Sequence, residues 1–306
     1  MQAPASALIV VNFASSALVS ANLGRMRLPA GVRVYLVDCF SGEQERSRVR
    51  ELTSAHDWSV IFLDDNRGFG GGVNAGARAA RQEGARVIAT LNPDATMAEA
   101  DLERLVAAAE SDTRALISPR IVTSTGRHWF AGADLYLDDG TAAATSRRSE
   151  FGSRPRREWA TGACFAMSAT LWDEIGGFDE EYFLYWEDID LSHRILDAGA
   201  HLVSVSATAV HDEGGTHNAA GSRAKSETYY YYNIRNRLLY AAKRLDAAHV
   251  RAWRRSTVRV SMGILLQGGR RQLLVSLVPW RALFRGIRDG RRALRSASRR
   301  PRGRIN

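Results

Sequence analysis

Four stretches in the first hundred residues are almost continuously apolar, and segments with helical spacing separate them. The apolar stretches are ALIVVNF, VRVYLVD, WSVIFLD and ARVIATLNPD, which begin at residues 7, 32, 58 and 85. Runs of this length, rich in branched residues, are typical of strands that are buried on both faces. SGEQERSRVRELTSAH and GVNAGARAARQEG lie between them and predict helices. Strands and helices that alternate in this way predict a parallel sheet with right-handed crossovers.

Beyond residue 100 the alternation continues, with one irregular region. DLERLVAAAE predicts a helix, ALISPRIV predicts a buried strand and GRHWFAGADLYLDDG predicts a hairpin. Residues 141–158, TAAATSRRSEFGSRPRRE, contain few apolar positions. They predict either a mobile loop that closes over a substrate or a disordered insertion, and both alternatives remain open.

The remainder is predicted to be helical apart from one strand. CFAMSATLWDEIGG predicts a helix that ends at Gly176, and a second helix is predicted over about 187–198, ending before Gly199. AHLVSVSATAVH then predicts a strand that ends at His211. Residues from 222 onward predict helices, and the later ones are dense in arginine. The predicted fold class is α/β, with helices flanking a mostly parallel sheet.

Polar residues follow the predicted strands where each apolar run ends. They are Asn12, Asp38, Asp64, Asp65 and Asp94. Because ligands of open sheets bind at the carboxyl ends of the strands, we expect these side chains to converge on one ligand. A carboxylate at Asp94 can bind a divalent cation that bridges a diphosphate. The alternative for Asp94 is a turn, with Thr96 capping the next helix.

The glycine-rich segment NRGFGGGVNAG follows the third strand and opens a helix. Backbone N–H groups at such a position favour a phosphate, whereas the alternative is that glycines let the helix pack close to the sheet. Gly70, Gly72 and Ala75 match the loose G-x-G-x-x-A pattern of dinucleotide-binding proteins. This pattern keeps an NAD(P)-dependent Rossmann-type oxidoreductase as an alternative function, although the segment does not follow the first strand.

The segment EEYFLYWEDIDLSHR places three carboxylates beside a run of aromatic residues. Acidic residues in the first turn of a helix interact well with its dipole, and Asp190 with Arg194 is a pair four residues apart. Apolar neighbours also raise the pKa of a carboxyl group and make it a better base near neutral pH. In helical projection Asp188 shares a face with Leu191 and Ile195, so we expect Asp188 to point inward, with Glu187 and Asp190 on the flanks.

Composition bounds the class of protein. The chain has 306 residues, of which 45% are hydrophobic and 25% charged, as in ordinary globular proteins. Cys39 and Cys164 show neither disulfide nor zinc spacing, and the start of the chain does not have the pattern of a signal peptide. These features predict a reduced, cytoplasmic protein.

Charge is distributed unevenly along the chain. Residues 251–306 contain 16 arginines and one acidic residue, a net charge of +15, whereas residues 1–250 contain 26 basic and 32 acidic residues, a net charge of −6. A basic tail predicts an anionic partner, which is either a membrane surface or a nucleic acid. No motif typical of nucleic-acid readers accompanies it, so nucleic acid is not the expected partner.

The order of these motifs resembles inverting family 2 glycosyltransferases of the GT-A fold, in particular the bacterial rhamnosyltransferase-like branch. The matching segments are IVVNF, LVDCFS, NRGFGGGVNAG, LNPDAT, the long segment from Thr161 to Val205, and AVHDEGGT. They extend from about residue 7 to residue 217. The resemblance implies a catalytic domain over residues 1–220, with a nucleotide-sugar half (1–96) and an acceptor half (97–220), and a helical, arginine-rich extension over 221–306.

The resemblance also implies roles for individual residues. The nucleotide-sugar donor is expected to contact Asn12, Asp38, Asn66, Gly68, Asn74 and Asp94, with Asp38 at the base. Asp94 and His211 are expected to hold Mg²⁺ or Mn²⁺ on the donor diphosphate. Asp188 would be the general base that deprotonates the acceptor hydroxyl, supported by Glu187. A single in-line displacement would invert the anomeric centre.

Two departures from the family pattern affect these expectations. The Asp-Asn pair usual after the second strand is Asp38-Cys39 here, and the DXD motif is reduced to Asn92-Pro93-Asp94. Binding of a metal therefore depends on fewer carboxylates than usual.

The tail contains two short apolar segments, VSMGILL and LLVSLVPW, between its arginines. Neither reaches the roughly 20 residues that span a bilayer. We expect them to lie on an anionic membrane as amphipathic helices, with Trp253 and Trp280 near the interface. The expected function is transfer of L-rhamnose from dTDP-rhamnose, with a UDP-sugar as the alternative donor, to a glycan or polyprenyl-diphosphate-linked acceptor at the inner face of the cell membrane. The alternatives are the oxidoreductase and a nucleic-acid-binding protein.

Overall fold

A computed structural model of the protein describes residues 5–211 and 224–297. These residues pack as two compact units. The first comprises 5–133, 158–183 and 187–211, and the second comprises 134–157, 184–186 and 224–297. The boundary expected at residues 220 and 221 lies outside the described residues.

The strands and helices follow the chain in this order. The strands are β1 (Ser6–Asn12), β2 (Val32–Cys39), β3 (Ser59–Leu63), β4 (Val87–Leu91), β5 (Ala95–Met97), β6 (Ala115–Val122), β7 (His128–Phe130), β8 (Ala133–Tyr136), β9 (Ala142–Ala144), β10 (Arg156–Trp159), β11 (Cys164–Ser168) and β12 (His201–His211). The helices are α1 (Ser16–Ala21), α2 (Glu43–Ser54), α3 (Gly68–Gln82), α4 (Glu99–Ser111), α5 (Arg148–Phe151), α6 (Ala169–Ile175), α7 (Glu187–Asp197), α8 (Glu227–Arg244), α9 (Ala247–Leu266), α10 (Arg270–Val275) and α11 (Val278–Ala297). Short 3₁₀ turns span Leu23–Arg25, Thr145–Arg147 and Glu180–Tyr182.

The first unit is built on a nine-stranded sheet in the order β3-β2-β1-β4-β11-β6-β12-β5, with β7 paired to β6. The strands β1 to β4 are parallel neighbours, as their sequence predicts. β11 enters antiparallel between β4 and β6, and β12 pairs parallel to β6. Every residue of β1 is buried, because alternate side chains enter the apolar clusters on the two faces of the sheet. The prediction of strands buried on both faces is confirmed for β1.

Glycines of the glycine-rich segment lie inside α3 and face the sheet. A Cβ at Gly72 would lie 2.8 Å from Cγ1 of Val11 on β1 and 3.0 Å from Sγ of Cys39 on β2. Helix and sheet therefore approach more closely here than any larger residue allows. This geometry favours the close-packing interpretation over a dinucleotide-binding loop, because Gly70 and Gly72 belong to the helix rather than to the turn before it.

We expect Gly72→Ala to destabilise the protein by about 1–3 kcal/mol, because the added methyl group overpacks the contact with Val11 and Cys39. Gly263→Ala is the matched control, since Gly263 also lies in a helix but has no atom within 4 Å of the added Cβ. That control is expected to gain up to about 1 kcal/mol from helix propensity. Denaturant unfolding measures both changes, and equal stability of the two variants would contradict the close approach.

Two predictions about the irregular region are wrong. The expected hairpin over 126–140 does not form, because β7 pairs with β6 while β8 belongs to a separate three-stranded sheet in the order β10-β8-β9. Residues 141–158 are neither a bare loop nor a disordered insertion, since they contain β9, α5 and the start of β10. Arg148 anchors them through a bidentate ion pair with the fully buried Asp134.

The second unit has its own core, formed largely by α8, α9 and α11. Arg237 is almost fully buried, stacks on Trp253 with its guanidinium carbon 4.8 Å from the ring centroid, and donates to the carbonyl oxygens of Asp139 and Trp253. Burial lowers the pKa of Arg237 to about 10. Trp253 is fully buried and its Nε1 donates to the carbonyl oxygen of Leu137, so the expectation that Trp253 lies at a membrane interface is wrong. Within the described ranges, no helix has both the length and the apolar content to cross a bilayer.

Candidate active site

Helix α7 carries the three carboxylates, and their burial differs from the helical projection. Asp190 is fully buried and Glu187 is 6% exposed, whereas Asp188 is only half-buried. The prediction that Asp188 points inward with the other two on the flanks is therefore wrong. Asp190 is held by Tyr182 and by an ion pair with Arg194 at 2.7 Å, so it has a structural partner. Asp188 is the acid of this group that reaches solvent.

Backbone groups position the Asp188 carboxylate. Oδ2 accepts a hydrogen bond from the N–H of Gly162 at 3.2 Å, and Oδ1 accepts one from the N–H of Ile189 at 2.8 Å. Burial nevertheless raises the pKa of Asp188 to about 6, because loss of hydration outweighs these two hydrogen bonds. A carboxyl group with such a pKa is mostly ionised at neutral pH and is more basic than an ordinary aspartate.

Glu187 differs from its neighbour. Burial, and then the charge of Asp188, raise the pKa of Glu187 well above its usual range. Its Oε2 has no hydrogen-bond partner in the part of the chain that the structure describes. The raised pKa disfavours the charged form of Glu187, so Asp188, which also reaches solvent, is the better placed of the two carboxyl groups to accept a proton.

The glycine-rich segment and the acidic helix meet at this place. A Cβ at Gly162 would lie 3.0 Å from the ring of Phe69 and 3.6 Å from Cβ of Asp188, and one at Gly70 would lie 3.9 Å from Cβ of Glu187. The start of α3 therefore covers one side of the two carboxyl groups. Low-polarity neighbours of this kind explain why both pKa values are raised.

The backbone before α7 adopts an unusual conformation. Phe183, Tyr185 and Trp186 have φ angles of +65°, +64° and +74°, which non-glycine residues rarely adopt. Such strain persists only where the surroundings enforce it. In the first unit the carbonyl oxygen of Phe183 accepts from the N–H of Phe69 at 2.9 Å. In the second unit the side chain of Asn236 donates to the carbonyl oxygens of Leu184 and Tyr185 at 2.9 and 2.8 Å.

Asp94 and His211 are far apart in sequence but adjacent in the structure. Nε2 of His211 lies 3.1 Å from Oδ1 of Asp94 and 3.4 Å from Nδ2 of Asn92, and the His211 ring packs on Trp129 with ring centroids 4.3 Å apart. Pairing of β5 with β12 brings them together, since His211 is in register with Ala95.

A carboxylate and an imidazole at this distance form a donor pair that fits Mg²⁺ or Mn²⁺. Nδ1 of His211 is buried and lacks a hydrogen-bond partner within residues 5–211 and 224–297, whereas Nε2 faces the carboxylate oxygen of Asp94. Within the same residues, no cluster of three or more metal-binding side chains surrounds the pair.

Adjacent strands connect the Asp94–His211 pair with Asp188. The N–H of Asn92, two residues before Asp94, donates to the carbonyl oxygen of Ala163 at 2.8 Å. The preceding residue, Gly162, binds Asp188. The ends of β4 and β11 thus bring the carboxylate of α7 and the Asp94–His211 pair to the same edge of the sheet.

The other strand-end residues are engaged inside the protein. Asp38 is fully buried, and its two oxygens accept from Nδ2 of Asn12 and Nε of Arg46, both at 3.0 Å. Asn12 is also fully buried and accepts from Ser15. Contact of Asp38 with a nucleotide base stays a prediction, and such a contact would require the network around Asn12 and Arg46 to rearrange.

The residues expected in the donor pocket from the glycine-rich segment form turns. Asn66 accepts from the N–H of Gly68 at 2.9 Å, and Gly68 has a φ of +73° with no room for a Cβ beside Phe183. The Asn74 side chain both donates to and accepts from the backbone of Phe178 at 2.9 Å. Asn74 also lines a surface cavity of about 610 Å³ between α3 and α6, which neither Asp94 nor Asp188 lines. Their role in donor binding stays a prediction.

Sequence patterns did not reveal three residues of this region. Gly162 supplies a hydrogen bond to Asp188, Trp129 packs on His211, and Arg46 binds Asp38. Arg46 also lies over the rings of Phe40 and Phe62, at 4.5 and 5.3 Å. Only the position of Gly162, in TGACF just before a strand, offered a signal.

Comparison with known proteins decides the family. Residues 27–186, which are 160 of the 306, match the family described as Glycosyl transferase family 2. The chain belongs to glycosyl transferase family 2. The Rossmann-type oxidoreductase is thereby excluded as the family of this protein, and the resemblance of the sequence motifs is confirmed.

Curated relatives of this family 2 glycosyltransferase include two with named activities. It is 27% identical over 239 residues to the low-salt glycan biosynthesis hexosyltransferase Agl10 of Haloferax volcanii, covering 76% of this chain and 74% of that protein. It is 36% identical over 74 residues to the N-acetylglucosaminyl-diphospho-decaprenol L-rhamnosyltransferase of Mycobacterium tuberculosis, covering 24% of each protein.

Solved structures establish the fold as GT-A. The mannosyltransferase PcManGT from Pyrobaculum calidifontis, in complex with GDP-Man and Mn²⁺, superposes with a TM-score of 0.53 at 16% identity over 96% of this chain and 86% of that one. GalNAc-T7 with UDP, GalNAc and Mn²⁺ superposes with a TM-score of 0.55 at 15% identity over 88% of this chain and 57% of that one. The predicted GT-A fold with a C-terminal helical extension is confirmed.

Proposed function

We propose that this family 2 glycosyltransferase transfers L-rhamnose from a dTDP-rhamnose donor to a hydroxyl group, with inversion at the anomeric carbon. The observation that carries the proposal is Asp188, a partly exposed carboxylate of raised pKa at the sheet edge that also carries the Asp94–His211 pair. The Mycobacterium tuberculosis relative, whose name specifies L-rhamnosyl transfer, supports rhamnose as the sugar.

Asp188 acts as the general base in this proposal. Its ionised oxygens accept the proton of the acceptor hydroxyl while that oxygen attacks the anomeric carbon from the side opposite the nucleotide. The N–H groups of Gly162 and Ile189 fix the carboxylate orientation, and burial disfavours a competing negative charge on Glu187. One displacement with a base and no nucleophilic side chain gives inversion.

Asp94 and His211 are the residues that would hold Mg²⁺ or Mn²⁺. Both solved structures described above contain Mn²⁺ together with a nucleotide or nucleotide sugar. When bound, such an ion supplies positive charge that stabilises a departing nucleoside diphosphate. Trp129 limits the rotation of the His211 ring and keeps Nε2 directed at Asp94.

The acceptor in this proposal is a glycan or a polyprenyl-diphosphate-linked sugar used in cell-surface glycan or cell-wall synthesis. The named acceptor of the Mycobacterium tuberculosis relative, a diphospho-decaprenol carrying N-acetylglucosamine, supports a lipid-linked substrate. Attachment of the arginine-rich helices to the anionic inner face of the cell membrane would bring the enzyme to such an acceptor.

A thermal-shift panel tests the donor class. dTDP, UDP, GDP and NAD⁺ are each added to the full-length protein with Mn²⁺ and with EDTA. We expect dTDP with Mn²⁺ to raise Tm, because a ligand that binds only the native state stabilises it in proportion to the logarithm of its concentration over Kd. Stabilisation by UDP alone or by GDP alone would show that the donor is a UDP-sugar or a GDP-sugar instead of dTDP-rhamnose. Stabilisation by none of the nucleoside diphosphates would contradict the proposal.

A further inference from the structure

Four large apolar side chains project into solvent near the end of the described chain. Leu274, Val275, Leu277 and Phe284 are 86%, 74%, 82% and 71% exposed. Every other exposed large apolar side chain in the described ranges is at most 58% exposed. Leu274 and Val275 end α10, Leu277 lies in the turn after it, and Phe284 lies on the outward face of α11, two turns beyond Leu277.

These side chains are held in place rather than left on a frayed end. The neighbouring Leu273 packs into a buried cluster with Tyr230, Leu265 and Leu283. Nε1 of Trp280 donates to the carbonyl oxygen of Leu273 at 3.0 Å, and Gln272 is hydrogen-bonded to Tyr230 and Lys225. The turn between α10 and α11 is therefore anchored from inside while its outer side chains stay exposed.

Arginines flank this apolar group along the chain. Arg270 and Arg271 are exposed at the start of α10, and neither has an acidic partner within the described residues. Arg281 and Arg285 lie beside Phe284 on α11 and share the single carboxylate of Glu227. Four arginines and one glutamate leave a net charge of +3 around the four apolar side chains.

We propose that this corner, residues 270–285, is the membrane-docking surface of the protein, with Leu274, Val275, Leu277 and Phe284 inserted among the acyl chains of an anionic bilayer. Apolar side chains ringed by arginines match the boundary between hydrocarbon and anionic headgroups. The inference rests on the proposed membrane attachment and replaces the expected contact through Trp253 with a defined set of residues. Its occupant is the lipid surface itself.

The positive charge of residues 270–285 favours a lipid surface over a second copy of the chain as the partner that binds there. A second copy of this chain would bring the same four arginines against each other, and like charges facing across an interface oppose association. An anionic bilayer instead supplies negative charge around the whole rim while its interior accepts the apolar side chains. Binding to a bilayer also does not require a partner surface whose shape is complementary to that of residues 270–285.

Co-sedimentation of the full-length protein with vesicles of phosphatidylglycerol and phosphatidylcholine tests the inference. The double variant Leu274→Ser with Leu277→Ser is expected to lower vesicle partitioning by about tenfold or more, since two exposed leucines lose their transfer into hydrocarbon. Arg270→Ser with Arg271→Ser is expected to lower it by roughly fivefold per arginine. Vesicles of phosphatidylcholine alone should bind the wild type much more weakly.

Matched control variants test whether the location of the substituted residues matters, or only the loss of apolar surface or positive charge. Val258→Ser removes an exposed apolar side chain of α9, and Arg254→Ser with Arg255→Ser removes the same charge from exposed positions on α9. These controls are expected to bind vesicles nearly as wild type. Equal losses in the controls would overturn the corner as the docking surface and leave attachment by charge alone.

Two further outcomes are informative. If wild type does not bind vesicles but sediments as a dimer that Leu274→Ser with Leu277→Ser dissociates, the corner is a self-association surface and the inference is overturned. The shift in Tm with dTDP and Mn²⁺, measured on every variant without vesicles, reports the proposed function separately. A variant that loses vesicle binding and keeps this shift supports docking, whereas failure of the shift in wild type concerns the donor alone.

Discussion

Asp188→Asn is expected to fold, to keep donor affinity and to lose transfer by about 10²-fold or more, because the variant cannot accept the proton of the acceptor hydroxyl. The amide oxygen of asparagine can still accept the hydrogen bond from Gly162, so the position of the side chain is preserved. Single-turnover transfer from a labelled nucleotide sugar measures the rate, and the shift in Tm with dTDP and Mn²⁺ measures donor binding.

The pH dependence gives a second readout for the same residue. With a pKa of about 6, Asp188 is protonated and inactive as a base at low pH, so we expect kcat to fall roughly tenfold per unit below that pKa. A raised carboxyl pKa also means that the protonated form stabilises the fold, and that this stabilisation is lost as pH rises through about 6. Asp188→Asn should therefore have a higher Tm than wild type above neutral pH.

Glu187→Gln serves as the comparison for this assignment. Glu187 is buried and its raised pKa disfavours the charged form, so its amide variant should change kcat much less than Asp188→Asn and should leave the acidic limb of the pH profile in place. Turnover close to wild type in Asp188→Asn, together with a large loss in Glu187→Gln, would transfer the role of base to Glu187.

Asp94→Asn is expected to reduce Mn²⁺-dependent binding of a nucleoside diphosphate by about two orders of magnitude, because the pair with His211 loses its only carboxylate. Isothermal titration of dTDP, with Mn²⁺ and with EDTA, measures the change directly. We expect the variant in Mn²⁺ to resemble wild type in EDTA.

The structure contains a matched control for Asp94→Asn. Asp112 and His201 also form an Asp–His pair, 2.7 Å apart and half exposed on the surface of the same unit. Asp112→Asn should leave metal-dependent binding unchanged. Equal binding by Asp94→Asn and wild type in Mn²⁺ would show that Asp94 is not a metal ligand.

Local sequence patterns predicted the first half of the fold well. Strands β1, β2 and β4 are largely buried, whereas the edge strand β3 is only partly buried. Each of the four is joined to the next through a helical segment, so the apolar runs predict the strands and the intervening helices predict their parallel direction. The antiparallel entry of β11 between β4 and β6 was not predictable in this way, because that pairing joins residues more than 40 positions apart. The small sheet of β8, β9 and β10 was missed because its strands are only three or four residues long and show no extended apolar run.

Burial within α7 shows where helical projection fails. Projection treats one face as the inside, but α7 is covered on two sides: Tyr182 and Arg194 enclose Asp190, while the start of α3 covers Glu187. Asp188 lies between these covered sides and stays half-buried. The pairing of Asp94 with His211 was expected from the family resemblance, whereas the packing of Trp129 on His211 depends on the edge strand β7, whose partner no local pattern identifies.

The segment with positive φ angles before α7 acquires part of its hydrogen bonding late in synthesis. The carbonyl oxygens of Leu184 and Tyr185 have their hydrogen-bond donor in Asn236, which leaves the ribosome about fifty residues after them. Until α8 has been made, these two carbonyl oxygens lack the Asn236 donor, and Glu187 follows the segment directly in the chain. A nascent chain that ends before α8 therefore has all of its candidate catalytic side chains but lacks the hydrogen bonds that fix the segment leading into them.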